Sequence, residues 1–201
     1  WMCVIGQDSV KVRRVPPPGA TGLCELAKAS ARKQRNGWGG QPLPLNASCW
    51  ADGHLAGRVR GAQAAVAAAA RSMGGQALAP ERAERQWPAP RDQALPFFRL
   101  APGEALWRAS VPDAATPLNL GPTLVEWHGA QRWIKATPAD ATHVREAAAR
   151  AGGHATLFRG GDGSVPVFTP LAPALAQIHA RLKHEFDPAG IFGPGRLYDE
   201  F

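Results

Sequence analysis

Residue types that do chemistry are present in this chain but mostly dispersed. The six histidines, at positions 54, 128, 143, 154, 179 and 184, follow no metal-ligand spacing. His179 and His184 lie five residues apart on one predicted helix, about 140° from a common face, and read as solvated helix residues. Cys3, Cys24 and Cys49 match neither a zinc ribbon nor a disulfide framework, so they read as small apolar side chains in a reducing compartment. Gly160-Gly161-Asp162-Gly163 can cradle an anion through its backbone N–H groups or form a surface turn after a strand, and the residues alone leave both open. The chain holds no phosphate loop, nucleophile elbow or metalloprotease helix. The most informative stretch runs from Arg181 to Tyr198: a helix broken at Asp187-Pro188, then a Gly/Pro-locked turn, Gly193-Pro194-Gly195, that aims its backbone and Arg196 at a fixed place. Turns of that rigidity position ligands or cap cores.

These groups need elements to hold them. Residues 9 to 15 alternate apolar and polar with β-branched side chains, predicting a half-buried strand that runs into Pro16-Pro17-Pro18 as a stiff linker. A helix is expected from Thr21 to about Arg35. Strands are expected at 43 to 50 and 54 to 60, flanking the hairpin signal Asp52-Gly53, followed by an Ala-rich helix from Gly61 to Met73. Residues 79 to 103 are Pro-studded, with Trp87, Phe97 and Phe98 as anchors. Strand patterns return at 105 to 111, 123 to 128, 131 to 136 and 154 to 158, and Thr137-Pro138-Ala139-Asp140 reads as a helix start with an N-cap, an early proline and an acid at the third position. A last helix from 170 to 186 carries Leu171, Leu175, Ile178, Leu182 and Phe186 on one stripe, expected to be buried against the sheet. Helix and hairpin units occur twice, predicting an α+β fold of two split-βαβ halves with antiparallel sheets and helices packed on one face, the halves spanning about 19–100 and 101–201.

Composition sets the bounds. With 201 residues, 45% apolar and 19% charged, the chain can bury a core, and Gly 22 with Pro 19 stays below low-complexity levels. The longest apolar run, Ala64 to Ala70, is far short of the ~20 residues a membrane helix needs, and no charged-then-apolar leader opens the chain. A net charge of +7 suits an anionic partner. Much of the excess, however, sits in Lys11, Arg13, Arg14, Lys28, Arg32, Lys33 and Arg35, against Asp8 and Glu25, and no zinc finger or RNP motif accompanies it. No nucleic-acid role is expected.

Phe186-Asp187-Pro188-Ala189-Gly190-Ile191-Phe192-Gly193-Pro194-Gly195-Arg196 resembles the terminal signature of FAD-linked oxidases of the vanillyl-alcohol-oxidase type, and within them the FAD-binding E-type subunits of bacterial glycolate oxidase. Gly39-Gly40-Gln41-Pro42-Leu43-Pro44-Leu45, Gly129-Ala130-Gln131-Arg132-Trp133 and Gly152-Gly153-His154-Ala155-Thr156-Leu157-Phe158-Arg159 are similar to the same subunits, so the resemblance samples nearly the whole chain. Two departures stand out. Many relatives have Asn-Pro-Gly where this chain has Gly193-Pro194-Gly195, and residues 20 to 35 fit the family pattern poorly.

The resemblance implies that residues 1–18 are the last strand and linker of a flavin-binding domain lying before Trp1, and that 19–201 is the C-terminal cap domain, a duplicated ferredoxin-like unit. It implies FAD as cofactor, with Gly193, Pro194, Gly195 and Arg196 against it, and oxidation of glycolate to glyoxylate in a complex with a catalytic flavin subunit and an iron–sulfur subunit. The isolated chain is then expected to be inactive, and the location cytoplasmic or at the inner membrane face through partners. Another FAD-dependent 2-hydroxyacid oxidoreductase and a non-catalytic assembly subunit are the alternatives. Related dehydrogenases carry a His-Ala-Gly-Asp-Gly-Asn-x-His metal site; laid on Arg159 to Pro166, both histidines are replaced. A guanidinium stays protonated and proline has no side-chain donor, so no metal is expected there. Arg159 can instead pair with a substrate carboxylate, which makes it the candidate catalytic residue, or form a structural bridge.

Overall fold

The structure is a computed structural model that describes residues 19–25, 28–74 and 76–198. Its frame is one eight-stranded sheet whose pairings are all antiparallel. In chain order the first half runs β1 (Gly19–Glu25), α1 (Lys28–Gly39), β2 (Leu45–Ala51), β3 (His54–Arg60), α2 (Gln63–Met73) and β4 (Gln76–Ala77). Two short helices, α3 (Pro80–Gln86) and α4 (Pro88–Arg91), lead to the second half. That half comprises β5 (Ala105–Ser110), β6 (Thr123–Glu126), β7 (Gln131–Ala136), α5 (Ala141–Arg150), β8 (His154–Arg159) and α6 (Pro173–Phe186). Strand order is β4-β1-β3-β2-β6-β7-β5-β8, so the order within the first four strands recurs in reverse across the β2–β6 seam.

Local chemistry explains the hairpins. Asp52 and Gly53 both take positive φ, 48° and 80°, and a two-residue turn of that hand matches the twist of β2 and β3. Thr137 and Asp140 form a reciprocal capping box ahead of α5, at the helix start that the sequence marks.

Helices cover one face of the sheet. Trp107, Ile134, Ala155 and Leu157 pack against Val144 and Ala148 of α5 in the second half. Leu55 and Val59 pack against Trp38, Val66, Ala69 and Met73 in the first. Gly57 is required here, because a Cβ would lie 2.5 Å from the Met73 methyl and 2.9 Å from the Trp38 ring. The other face is partly covered by the Pro-rich connection, where Phe98, Trp87 and Leu95 meet Cys49, Leu106, Leu124 and Trp133.

Two expectations change. The helix predicted from Thr21 gives way to strand β1, which pairs with β3 over its whole length, and α1 starts only at Lys28. Residues 111 to 122, between β5 and β6, form an irregular connection, in keeping with the absence of a helix signal there. The α6 stripe is not buried against the sheet: Leu175, Ile178 and Leu182 stay 49%, 52% and 50% exposed. The strand expected at 9 to 15 lies outside the described residues. No helix among the described residues is long and apolar enough to cross a membrane.

Candidate functional site

The C-terminal turn is built on Asp187. Its carboxylate caps the chain reversal after α6, accepting from the Lys183 ammonium at 2.5 Å and from the backbone N–H groups of Ile191 at 3.0 Å and Phe192 at 2.9 Å. Lys183 also donates to the Phe192 carbonyl at 2.5 Å. The Lys183 hydrogen bond chiefly, then the two backbone donors, hold the Asp187 pKa down at about 2 against the effect of desolvation. Positive φ at Gly190, Gly193 and Gly195 (65°, 56° and 66°) bends the following residues, and the Arg196 N–H closes the turn on the Gly193 carbonyl at 3.1 Å. Tyr198 then reaches back, its ring 5.9 Å from Phe168 and 6.2 Å from His179. The four candidate residues Gly193, Pro194, Gly195 and Arg196 therefore sit in one ordered turn, and all of them are exposed.

The pH dependence of the turn has a definite sign. The folded-state pKa of Asp187 lies below its ordinary 3.8, so its contribution to the turn is complete above that value and is lost as pH falls through about 2. Amide exchange at Ile191 and Phe192 is expected to quicken over that window and in Asp187→Asn at neutral pH. Unchanged exchange in the variant would mean that another contact holds the turn.

Arg159 sits at the far end of β8, remote in sequence from the tail. Its guanidinium donates to the Gln93 side-chain carbonyl at 3.3 Å and to the Phe98 backbone carbonyl at 2.6 Å, tying the Pro-rich connection to the sheet. Both acceptors are neutral. The Gly-Asp-Gly turn that follows is closed on itself: Asp162 Oδ1 accepts from the Ser164 N–H at 2.9 Å and hydroxyl at 2.5 Å, which hold this carboxyl below its ordinary range. Among the described residues no group of three or more His, Cys, Asp or Glu could hold a metal ion. Elemental analysis of the purified chain is expected to find no zinc or manganese that depends on Asp162; a stoichiometric metal lost in Asp162→Ala would contradict the reading of Arg159 to Pro166.

A polar cluster at the β6–β7 hairpin has no counterpart among the sequence expectations. Trp127 and His128 both adopt left-handed backbone, φ 49° and 55°, and Gly129 follows at 106°. Strain of this kind persists only where surroundings fix it. Here the His128 N–H donates to Ser48 Oγ at 3.0 Å, and Arg132 holds the Gly129 carbonyl at 3.1 Å. Glu126, just before the turn, accepts from Trp133 Nε1 at 2.7 Å and Gln131 Nε2 at 3.1 Å, while burial pushes its pKa up. Burial first, then the Glu126 and Asp52 charges, pushes the Cys49 thiol to about 12, so it is an inert core group at neutral pH. The Gly-containing turn is legible in the sequence; the strain and the buried polar partners are not, because they depend on β2 lying alongside.

Fold and tail together define an α+β body with a helix-covered antiparallel sheet and a preformed, outward-facing C-terminal turn. Sequence comparison supplies the particular relative. The chain is 39% identical over 198 residues, 98% of its length, to glycolate oxidase subunit GlcE of Escherichia coli (strain K12), matching the C-terminal portion of that protein. It spans about half, 54%, of the relative's length. No family model and no solved structure matches the chain. The resemblance to E-type glycolate oxidase subunits is thus borne out across nearly the whole sequence.

Proposed function

We propose that this chain is the cap portion of an FAD-dependent glycolate oxidase subunit of E type, acting within a heteromeric enzyme that converts glycolate to glyoxylate. The supporting observation is the 39% identity to GlcE, sustained over 198 residues rather than confined to the terminal motif. FAD, when bound, supplies the hydride acceptor; the protein supplies placement and electrostatics. On this reading residues 1–18 close a flavin-binding domain and 19–201 form the cap. The mirrored strand order supports reading the cap as a duplicated ferredoxin-like unit whose second half lacks its first helix.

The donor set suits an anionic cofactor only in part. In the turn from Gly193 to Arg196 the Gly193 and Gly195 N–H groups and the Arg196 guanidinium are donors that favour phosphate or a negatively charged ring edge, the Arg196 N–H being engaged by the Gly193 carbonyl. Residues 188 to 197 are all exposed, so this turn encloses nothing by itself. Arg159 has a role compatible with substrate: its present acceptors are uncharged, and exchanging the Gln93 contact for a carboxylate would turn a neutral acceptor into a charged one. The electron-transfer partners are a catalytic flavin subunit and an iron–sulfur subunit, with assembly in the cytoplasm or at the inner membrane face.

The 201-residue chain alone is expected to bind FAD weakly or not at all. Titration monitored by flavin fluorescence checks this, and a yellow, stoichiometric complex would overturn it. Purification of the complete enzyme, with flavin content and glycolate-dependent dye reduction measured per subunit, tests the whole reading. Absence of glycolate turnover in a complex that contains this chain would sink it. A second reading, a non-catalytic assembly subunit, is favoured by one observation: the large outward apolar surface of α6.

A further inference from the structure

Strand β3 carries two arginines whose charge nothing nearby offsets. Leu55 and Val59 face the helices, where they pack with Trp38, Val66, Ala69 and Met73, so the alternation of the strand sends Arg58 and Arg60 to the opposite face. Arg58 is half-buried there. Its Nε donates to Asn46 Oδ1 at 2.7 Å, where the β2 register shifts between Leu45 and Ala47, and its guanidinium carbon stands 5.0 Å over the Trp87 ring. Both contacts are with neutral groups. They fix the plane of the fork and leave its two Nη groups without an acceptor among the described residues. Arg60 lies two residues further on, about 7 Å along the same face, and is exposed.

The surrounding charges do not alter this balance. Thr21 and Gly19 of β1 stand in register with Arg58 and Arg60, and Ala47 of β2 stands against Arg58 from the other side. Glu25 and Asp52 lie at the opposite end of β3, against and beyond His54. Helix α3 holds Glu81 and Glu84 with Arg82 and Arg85, no net charge, and Arg91 and Asp92 of α4 pair with each other at 2.7 Å. The ion pairs among the described residues involve neither Arg58 nor Arg60. Desolvation first, then the Arg60 charge, lowers the Arg58 pKa, as expected of a cation held without a counter-ion. A guanidinium does not shed its proton in response, so an anion is what relieves the charge.

Two forks on one face suit an oxyanion with more than two acceptor atoms and more than one charge. A carboxylate has two oxygens and fills one fork; a phosphate monoester has three free oxygens and a charge of about −1.5 to −2 at neutral pH. We infer that Arg58 and Arg60, with Asn46 and Trp87 setting the Arg58 fork in place, form a binding site for a phosphate dianion, free or carried as a monoester. The inference is independent of the oxidase reading, and absence of glycolate turnover in the complete enzyme leaves it standing.

The test follows the arginine Nε–H signals of the nitrogen-15-labelled 201-residue chain during titration with inorganic phosphate, with glycerol phosphate and with sodium chloride at matched ionic strength. The Arg58 and Arg60 signals, assigned from Arg58→Gln and Arg60→Gln, should move together and saturate with one dissociation constant in the millimolar range. Exposed Arg71, on helix α2, should move no more than it does in chloride. Tighter binding of the ester identifies an organic phosphate as the ligand, equal binding identifies free phosphate, and either supports the site. Arg60→Gln removes no packing and should weaken phosphate binding at least about tenfold at an unchanged melting temperature. Arg58→Lys keeps the charge, loses the fork and should weaken binding as well. Glycolate, with one carboxylate, should bind at least about tenfold more weakly than phosphate. Signals that follow ionic strength without saturating, wild-type phosphate binding in Arg60→Gln, or glycolate binding as tightly as phosphate would overturn the inference. Loss of flavin from the complete enzyme in Arg60→Gln would also overturn it, by assigning the pair to the cofactor.

Discussion

Arg132→Met is expected to lower the stability of the chain by about 3 kcal/mol, a drop of roughly 6–12 °C in melting temperature for a chain of this length. Burial is the reason: Arg132 is only 4% exposed and sits in the middle of the sheet on β7. Its Nε donates to the Gly129 carbonyl at 3.1 Å, Nη1 to Thr116 at 2.5 Å and Nη2 to Ala115 at 2.6 Å. All three acceptors are backbone oxygens, so no compensating substitution can remove them. Methionine fills the space of the aliphatic stem but leaves carbonyls without donors, each costing about 1–3 kcal/mol if water cannot reach it. The loss is expected to spread locally, because the same guanidinium holds the turn that keeps Trp127 and His128 left-handed and anchors the connection between β5 and β6. Lysine should recover only part of the loss, since one ammonium cannot reproduce the planar fork. Thermal melts of wild type, Arg132→Met and Arg132→Lys check the order; a methionine variant melting within about 2 °C of wild type, less than 1 kcal/mol is worth here, would show that water replaces the guanidinium.

The same residue shows where sequence reading stops. Arg132 lies in a strand that is legible to the residue, Gln131–Ala136, because alternation and the adjacent turn are local signals. Nothing local tells a buried arginine from a solvated one; the distinction rests on carbonyls from residues 115 and 116 being folded over it. The hairpin at Asp52-Gly53 and the helix start at Thr137 are legible for the opposite reason, since a few consecutive residues decide them. Strand β1 escapes a sequence reading because Thr21 to Glu25 is too short to carry a period, and pairing with β3 settles its state. The α6 pattern announces an amphipathic helix correctly and a core helix incorrectly. A stripe at helical spacing says that one face is to be covered and does not say by what.

Arg196→Ala is expected to weaken flavin retention in the complete enzyme by about 10- to 100-fold while leaving the isolated chain as stable as wild type. The stability half follows from position: Arg196 is exposed, no core residue depends on it, and the turn it belongs to is closed by backbone and Asp187 bonds that alanine keeps. The retention half rests on the proposed function. A charge-assisted hydrogen bond to an anionic group is worth about 1.5–3 kcal/mol once water is excluded, and about 1.4 kcal/mol is a factor of ten in affinity. In the isolated chain the guanidinium is surrounded by solvent, where salt screens it and the same interaction is worth little. The effect should therefore appear only when the surface around the turn is covered. Arg196→Lys keeps the charge and loses the planar fork, so its retention should fall between the two. Wild-type flavin content in Arg196→Ala would remove Arg196 from the cofactor site, and a lowered melting temperature of the isolated variant would make its role structural.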